Sequence, residues 1–344
     1  MVRFHSIFAV MLCLALGCNV DVDVKVSGKK KNSKATRTIP AGTSILPGRS
    51  SSSTGAKTAS KSSPSSRPVS SSNTKTGQNK EIQIASFNIQ VFGVSKSKKS
   101  KVMDVLAKIV RRFDVVAIQE VRSRDTTVIP HFVRRINANG ADFAYELGPR
   151  LGRSSSKEQY LFVYNRATIE LIRGSVYTAK DPGDQMHREP LVARFRTVDV
   201  PTGQAFTFTL VNIHTDPDET KQELNALDDV FRRVQKNGTG EDDIIILGDL
   251  NVNYKKLGEL GRIPNIAWTV QDVMTNTRRN KSYDNIVYDR IATSEYLGRS
   301  GVMDIESEYG LTRKEALQVS DHLPVWATFS AIETGPVRVS RSPR

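Results

Sequence analysis

The sequence predicts an α/β protein, a four-layer sandwich in which two mixed β-sheets pack face to face and helices cover the outside. Three observations predict it. Between residues 81 and about 332, short apolar and β-branched runs outnumber amphipathic helical stretches, and no internal repeat is visible. Many strands with few helices bury their apolar faces best as stacked sheets under a helical cover. The hydrophobic content of 38% is ample for such a core once the polar tails are set aside. Finally, acid, Asn and His residues recur where apolar runs end, as Ser86-Phe87-Asn88-Ile89, Gln119-Glu120-Val121, Gly248-Asp249-Leu250-Asn251 and Ser320-Asp321-His322-Leu323-Pro324.

Taken in chain order, residues 82–89 read as a strand, and Val102, Leu106, Ile109, Val110 and Phe113 as the apolar stripe of a following helix. Residues 114–121 form a second, mostly buried strand. Further strands are expected over 160–164, 169–177, 191–198, 206–214, 243–248, 285–291 and 325–330. Pro217 is expected as the first residue of a helix, where its fixed φ and missing N–H cost nothing. The inner face of that helix is Leu224, Leu227, Phe231 and Val234.

The ends of the chain differ in kind from this body. Residues 1–18 combine a short basic start with an apolar run at 7–16, too short to span a bilayer, which is the layout of an export signal. Ala15-Leu16-Gly17-Cys18 resembles a bacterial lipoprotein box, with cleavage before Cys18 and lipid on its thiol; ordinary cleavage after a small residue is the alternative. Residues 19–80 are a linker dense in Ser and Lys, and it is expected to be disordered because it cannot bury enough surface to offset its chain entropy. Residues 333–344 are a basic tail. The expected location is therefore outside the cytoplasm, secreted or as a cell-envelope lipoprotein held to the membrane through Cys18.

The formal charge of +14 invites a nucleic-acid reading, but its distribution weakens that argument. Residues 25–80 hold twelve Lys and Arg with no Asp or Glu, and residues 1–24 carry a net −1. Residues 81–344 are left with +3, which Arg338, Arg341 and Arg344 account for. The body is formally neutral, so any basic patch on it must come from local arrangement. Both cysteines, Cys13 and Cys18, precede the body, which excludes a disulfide or a Cys-based site within it.

Hard oxygen donors at several strand ends, joined by two His motifs, imply one magnesium-type site for phosphate ester chemistry. The ensemble resembles the endonuclease/exonuclease/phosphatase superfamily over residues 82–329, in the family's order. Its general elements are Asn88, Gln119-Glu120, Asn212-Ile213-His214, Asp249-Leu250-Asn251, Tyr283-Asp284 and Asp321-His322. Within it, the stretches 152–164 and 187–195 look like the deoxyribonuclease I-like branch.

The resemblance implies a divalent-metal-dependent phosphodiesterase, a DNA endonuclease, acting as a monomer. Glu120 is the expected metal ligand with Asn88 and Asp321 beside it, while Asp249 and Asn251 complete a second position or orient water and phosphate. The cation would be Mg²⁺, with Mn²⁺ as a substitute, and calcium ligands are not confirmed by the sequence. His322 would deprotonate water with Asp284 as its partner, and His214 would assist the leaving group with Glu158 as its partner. Arg188 is expected on a phosphate, Arg122 and Arg153 on the DNA backbone or minor groove, and Asn212 within the site or on phosphate. His5, His131 and His187 have no comparable company and read as structural. Against the branch's usual pattern, Ser154-Ser155-Ser156 replaces a sugar-packing Tyr and Gln90 replaces an Arg, which removes minor-groove contacts.

Two other classes fit less well. A superfamily phosphatase or phospholipid phosphodiesterase shares the core, but the 157–164 and 188–190 stretches argue against it. A non-catalytic surface protein that binds polyanions through its basic linker and tail would have no need of the intact acid and His set.

Overall fold

A computed structural model describes residues 81–335, apart from Ser156 and Thr202. The expected signal, the linker and most of the basic tail lie outside the described residues. No helix among the described residues is long and apolar enough to cross a membrane.

Among the described residues, thirteen strands form two sheets. The first sheet contains β1 (Glu81–Phe92), β2 (Val115–Val121), β3 (Phe143–Leu147), β4 (Gln159–Asn165), β12 (Tyr296–Val302) and β13 (Val325–Ser330), in the order β12-β13-β1-β2-β4-β3. The second contains β5 (Ile169–Leu171), β6 (Tyr177–Thr178), β7 (Leu191–Thr197), β8 (Thr207–His214), β9 (Ile244–Asp249), β10 (Ile266–Trp268) and β11 (Asp284–Asp289). Its order is β10-β11-β9-β8-β7-β5, with β6 also paired to β7. Each sheet is mixed: β1 and β2 run parallel, as do β8 and β9, and the remaining pairs are antiparallel. The helices are α1 (Val94–Ser97), α2 (Ser100–Val110), α3 (Val128–Ile136), α4 (Thr220–Gln235), α5 (Ile305–Tyr309) and α6 (Arg313–Val319).

Side-chain alternation explains the layering. In β1, Ile82 and Ile84 join the core between the sheets, whereas Ala85, Phe87 and Ile89 join a second core beneath α2, α3 and α6. In β4, Tyr160, Phe162 and Tyr164 face the first core, and Leu161 and Val163 the second. Strands buried on both faces read as continuous apolar runs, which is why β1, β2, β4 and β9 stand out in the sequence. Phe195, Phe206 and Phe208 stack in the inter-sheet layer with Phe329. On the far side of the second sheet, α4 buries the expected Leu224, Leu227, Phe231 and Val234. The four-layer sandwich is the fold observed.

Local expectations differ at several elements, three of them with a clear physical reason. The strand expected over 169–177 is two short strands, β5 and β6, because the chain turns at Gly174, whose φ of 75° favours glycine. Pro217 lies in the turn ahead of α4 rather than at its first residue, since the helix begins at Thr220. Helix α3 went unread because Pro130 interrupts its pattern; Pro130 sits in the first turn, where its absent N–H has no carbonyl to meet.

Candidate active site

The site is built where the two sheets end on the same side. Register brings the acids and imidazoles of the second sheet together: on adjacent strands, His214 of β8 pairs with Asp249 of β9, and Asp249 pairs with Asp284 of β11. Gly248 makes the first of these approaches feasible, since a Cβ there would lie 1.8 Å from the Ile213 carbonyl oxygen.

The first sheet contributes Asn88, Glu120, Glu158 and, just before β13, His322. Alternation along β2 would turn Glu120 toward the helices, because Val116 and Ile118 face that way. Instead the pairing of β2 shifts register between Ile118 and Val121, and Glu120 adopts a left-handed φ of 61°. A bulge of this kind re-aims one side chain. Asn251, past the end of β9, has a left-handed φ of 51°. Strained non-glycine backbone concentrates at functional sites, and both residues are in the expected set.

The geometry joins two imidazole–carboxylate pairs through one shared acid. His322 Nδ1 lies 2.9 Å from Asp284 Oδ2, and His214 Nδ1 lies 3.0 Å from Glu158 Oε2. The opposite ring nitrogens converge: Nε2 of His322 and Nε2 of His214 stand 3.4 Å and 3.5 Å from Asp249 Oδ2. Asn251 N donates to the other Asp249 oxygen at 3.0 Å, and Asn251 Nδ2 donates to the Thr215 carbonyl. Burial alone would strip the charge from these groups. At both histidines it is outweighed by the surrounding carboxylates, so His214 and His322 are held above the ordinary histidine value. At Glu158 and Asp249 it is outweighed by the imidazoles, so both carboxyls are held below the ordinary range.

Glu120 accepts from Asn88 Nδ2, from Val91 N at 2.8 Å and pairs with Arg122 Nη2 at 3.1 Å. Asp321 Oδ1 is buried and has no hydrogen-bond partner. Asp321 and Glu120 both act on the Lys96 ammonium, and carboxylate oxygens are the ligands a hard divalent cation takes, so these two acids offer oxygens to such an ion. Asp249, Asp284 and His322 also present ligand atoms within 4.8 Å of one another. His322 already stands between the two acids, with Nδ1 on Asp284 and Nε2 beside Asp249, so a cation there would compete with the imidazole.

Three of the expected residues make protein contacts within the site. Asn88 is buried, donates through Nδ2 to both Glu120 and Asp249, and turns its oxygen to the Gln90 N–H. It is a strut between two carboxylates. Asn212 is fully buried, accepts from Gln119 Nε2 at 2.7 Å and donates to the Ile118 and Leu161 carbonyls. Its amide joins the two sheets, the first of the two expected uses, a hydrogen bond within the site. Arg188 is 5% exposed, with Nη1 3.0 Å from Glu158 Oε1 and two donors on the His214 carbonyl. It holds the His214–Glu158 pair. Arg153 pairs with Asp184 and Glu219 at the surface, whereas Arg122 lies beside Glu120.

Other residues of the site were not foreseen. Lys96 is buried and donates from Nζ to the carbonyls of Ile89, Gln90 and Val319. Burial pushes its ammonium down to about 8 against the pull of Asp321 and Glu120. Thr275 donates to Asp284 Oδ2 at 2.6 Å, and the Tyr160 hydroxyl accepts from His214 N at 2.9 Å. A lysine among surface lysines and a tyrosine in an apolar strand carry no signal in sequence that separates them from their neighbours.

A model of the Endonuclease/Exonuclease/phosphatase family matches residues 85–322. The chain belongs to this family. Deoxyribonuclease gamma of Rattus norvegicus is 31% identical over 261 residues, which cover 71% of this chain and 83% of that protein. Deoxyribonuclease-1 of Oryctolagus cuniculus is 30% identical over 270 residues, covering 72% and 92%. These relatives put the chain in the deoxyribonuclease I-like branch of the family, as a hydrolase acting on ester bonds. An endonuclease/exonuclease/phosphatase from Bacteroides vulgatus shares the fold, with a TM-score of 0.51 at 14% identity over 73% of this chain and 99% of that one.

Proposed function

We propose that this family member is a divalent-metal-dependent DNA endonuclease, with Mg²⁺ as the ion and Mn²⁺ able to replace it. The observation that carries the reading is the convergence of both Nε2 atoms on Asp249, each imidazole backed by its own acid. Hydrolysis of a phosphodiester needs one proton removed from water and one delivered to the departing oxygen. Two opposed imidazoles supply both sides. His322 Nε2 takes the proton of the attacking water while Asp284 steadies the imidazolium. As the new P–O bond forms and the old one breaks, His214 Nε2 gives its proton to the leaving alkoxide, backed by Glu158. Asp249, shared between them, holds both rings in register, and Asn251 fixes Asp249. Glu120 and Asp321 would hold the cation, which when bound offsets the charge gathering on the pentacovalent phosphate.

The names of the relatives support DNA as the substrate, with Arg122 positioned beside Glu120 to meet a phosphate. The +12 linker at 25–80 supports attraction of a polyanion without defining one. The first eighteen residues support export and a lipid anchor at Cys18, which labelled fatty acid incorporated by the full chain but not by Cys18→Ser would bear out. A supercoiled plasmid incubated with full-length protein should be nicked with Mg²⁺ and left intact with EDTA, and His322→Ala should lose nicking by about 10²-fold or more. Equal cleavage by His322→Ala would remove the proposed base. A panel including phosphoinositides and sphingomyelin separates the nuclease reading from other chemistries of the family.

A further inference from the structure

Strand β9 ends in Asp249 at the catalytic centre and begins beside a second set of acids. Asp243, which directly precedes it, lies six residues away, about 20 Å along the strand at ~3.3 Å per residue. Around Asp243 stand Glu295, just before β12, and Glu333, just after β13, with a carboxylate oxygen of each within 4.8 Å of the others. Asp243 and Glu295 are 2% and 0% exposed. Glu241 is also near, accepting from Asp243 N at 2.9 Å, with the Arg194 guanidinium acting on it. The charges acting most strongly on Asp243 itself, those of Glu295, Glu333 and Glu241, are all negative.

A separate observation points to a ligand. Asp243 Oδ1, Glu295 Oε2 and Thr293 Oγ1 are buried with no hydrogen-bond partner. Thr293 is 1% exposed, and its hydroxyl lies against the Asp243 carboxylate. Asp243 Oδ1 and Glu295 Oε2, from two separate stretches of chain, are buried carboxylate oxygens without a hydrogen-bond partner, and the Thr293 hydroxyl adds a further oxygen beside them.

We propose that Asp243, Glu295, Glu333 and the Thr293 hydroxyl form a structural calcium site, apart from the catalytic centre, that clamps the two sheets together. Ca²⁺ accepts six to eight oxygens in irregular geometry, and two ligands on one ion can lie up to about 5 Å apart. Mg²⁺ holds to a tight octahedron and keeps several waters, which a buried all-protein cage does not accommodate. The place is a seam between sheets. Ser330 N donates to the Glu295 carbonyl in the first sheet, while Phe206 N, ahead of β8, donates to the Ala331 carbonyl. Thr207 N, at the start of β8 in the second sheet, approaches Glu333 Oε2 at 3.5 Å. An ion bound by acids from before β9, before β12 and after β13 would fix this crossing.

The rival occupant is the proton. Burial and the neighbouring acids push the Asp243 carboxyl up to about 9 and that of Glu333 to about 7, so a protonated cluster is the arrangement without an ion.

Thermal unfolding of EDTA-dialysed full-length protein separates the two. Millimolar Ca²⁺ should raise Tm by about 5 °C in the wild type, with a clearly smaller effect from Mg²⁺. Glu120→Gln, altered at the catalytic centre, should respond to Ca²⁺ as the wild type does. The Asp243→Asn/Glu295→Gln double variant should fold and show no response. Should it fail to fold, Glu333→Gln at the half-buried position decides, and it should need at least tenfold more Ca²⁺ for half the shift. A wild type indifferent to Ca²⁺ and stabilised only by acidification overturns the proposal in favour of protons. A response lost in Glu120→Gln, kept in the cluster variants, or equalled by Mg²⁺ also overturns it.

Discussion

Oδ2 of Asp249 lies 3.4 Å from Nε2 of His322, on the opposite side of the ring from Asp284. The imidazole is therefore flanked by acids on both nitrogens, and His214 is flanked in the same way by Asp249 and Glu158. Each ring binds a proton more tightly in the fold than in the unfolded chain.

That asymmetry sets a pH dependence. For groups raised above 6.5, the stability they contribute is complete below that pH and is lost as pH rises through the folded value. Catalysis needs one neutral ring, so the rate should climb over the same window in which this stability falls. The pair titrates jointly, so the rate profile reports it as a unit. Asp284→Asn should move the rising limb of kcat toward lower pH while cutting its height, measured by plasmid nicking from pH 5.5 to 9. A limb that stays in place would show that Asp284 does not set the proton affinity of His322.

Arg188 and Arg153, both expected on the substrate, should part company by experiment. Removing Arg188 leaves Glu158 buried without its cation, and breaking a buried pair costs about 3 kcal/mol. Arg188→Met should lower Tm and reduce kcat with little change in KM, as befits a positioning residue. Arg153→Ala breaks only surface pairs, worth under about 1 kcal/mol, and should leave both Tm and kcat close to wild type. An Arg153→Ala protein crippled in KM would return that residue to the substrate surface.

Gly248 admits no side chain. Gly248→Ala should destabilise the fold by about 1–3 kcal/mol or more, as overpacked positions do, because the added carbon meets the Ile213 backbone. Urea denaturation measures the loss. A neutral result would mean that β8 and β9 can separate locally, and activity would then be expected to fall as His214 and Asp249 drift apart.

Lys96 holds the end of β1 against the end of α6 through three carbonyls. Lys96→Met strands those acceptors and should cost about 2–3 kcal/mol, given about 1–3 for one unsatisfied buried group. Chemical denaturation of the chelated protein checks this independently of any metal. Stability equal to wild type would show that water satisfies the carbonyls.

Fold class was legible because strands buried on both faces leave long apolar runs, as in β1, β2, β4 and β9. The shorter strands were not, since Tyr296–Val302 carries two glycines and Ile266–Trp268 is only three residues long. Within the site, Glu120, Asp249, Asp321 and His322 were readable from their places at strand ends, whereas Glu158 and Asp284 came from the family resemblance. Their partners confirm the expected pairings, His322 with Asp284 and His214 with Glu158. The contacts of Asn88, Asn212 and Arg188 were not readable, because an amide or guanidinium serves structure or substrate according to what surrounds it. At Asn212 the deciding neighbour is Gln119, 93 residues away. At Glu120 it is a one-residue irregularity in pairing, which no periodicity reveals.

Both imidazole–acid pairs straddle the gap between the sheets. His214 belongs to the second sheet and Glu158 adjoins the first, whereas His322 adjoins the first and Asp284 belongs to the second. The Gln119–Asn212 amide contact bridges the same gap directly beneath them. Neither half of the sandwich holds a complete imidazole–acid pair, so under the proposed mechanism turnover gauges docking: a slip of one sheet past the other by a single residue would break both pairs while leaving each sheet intact.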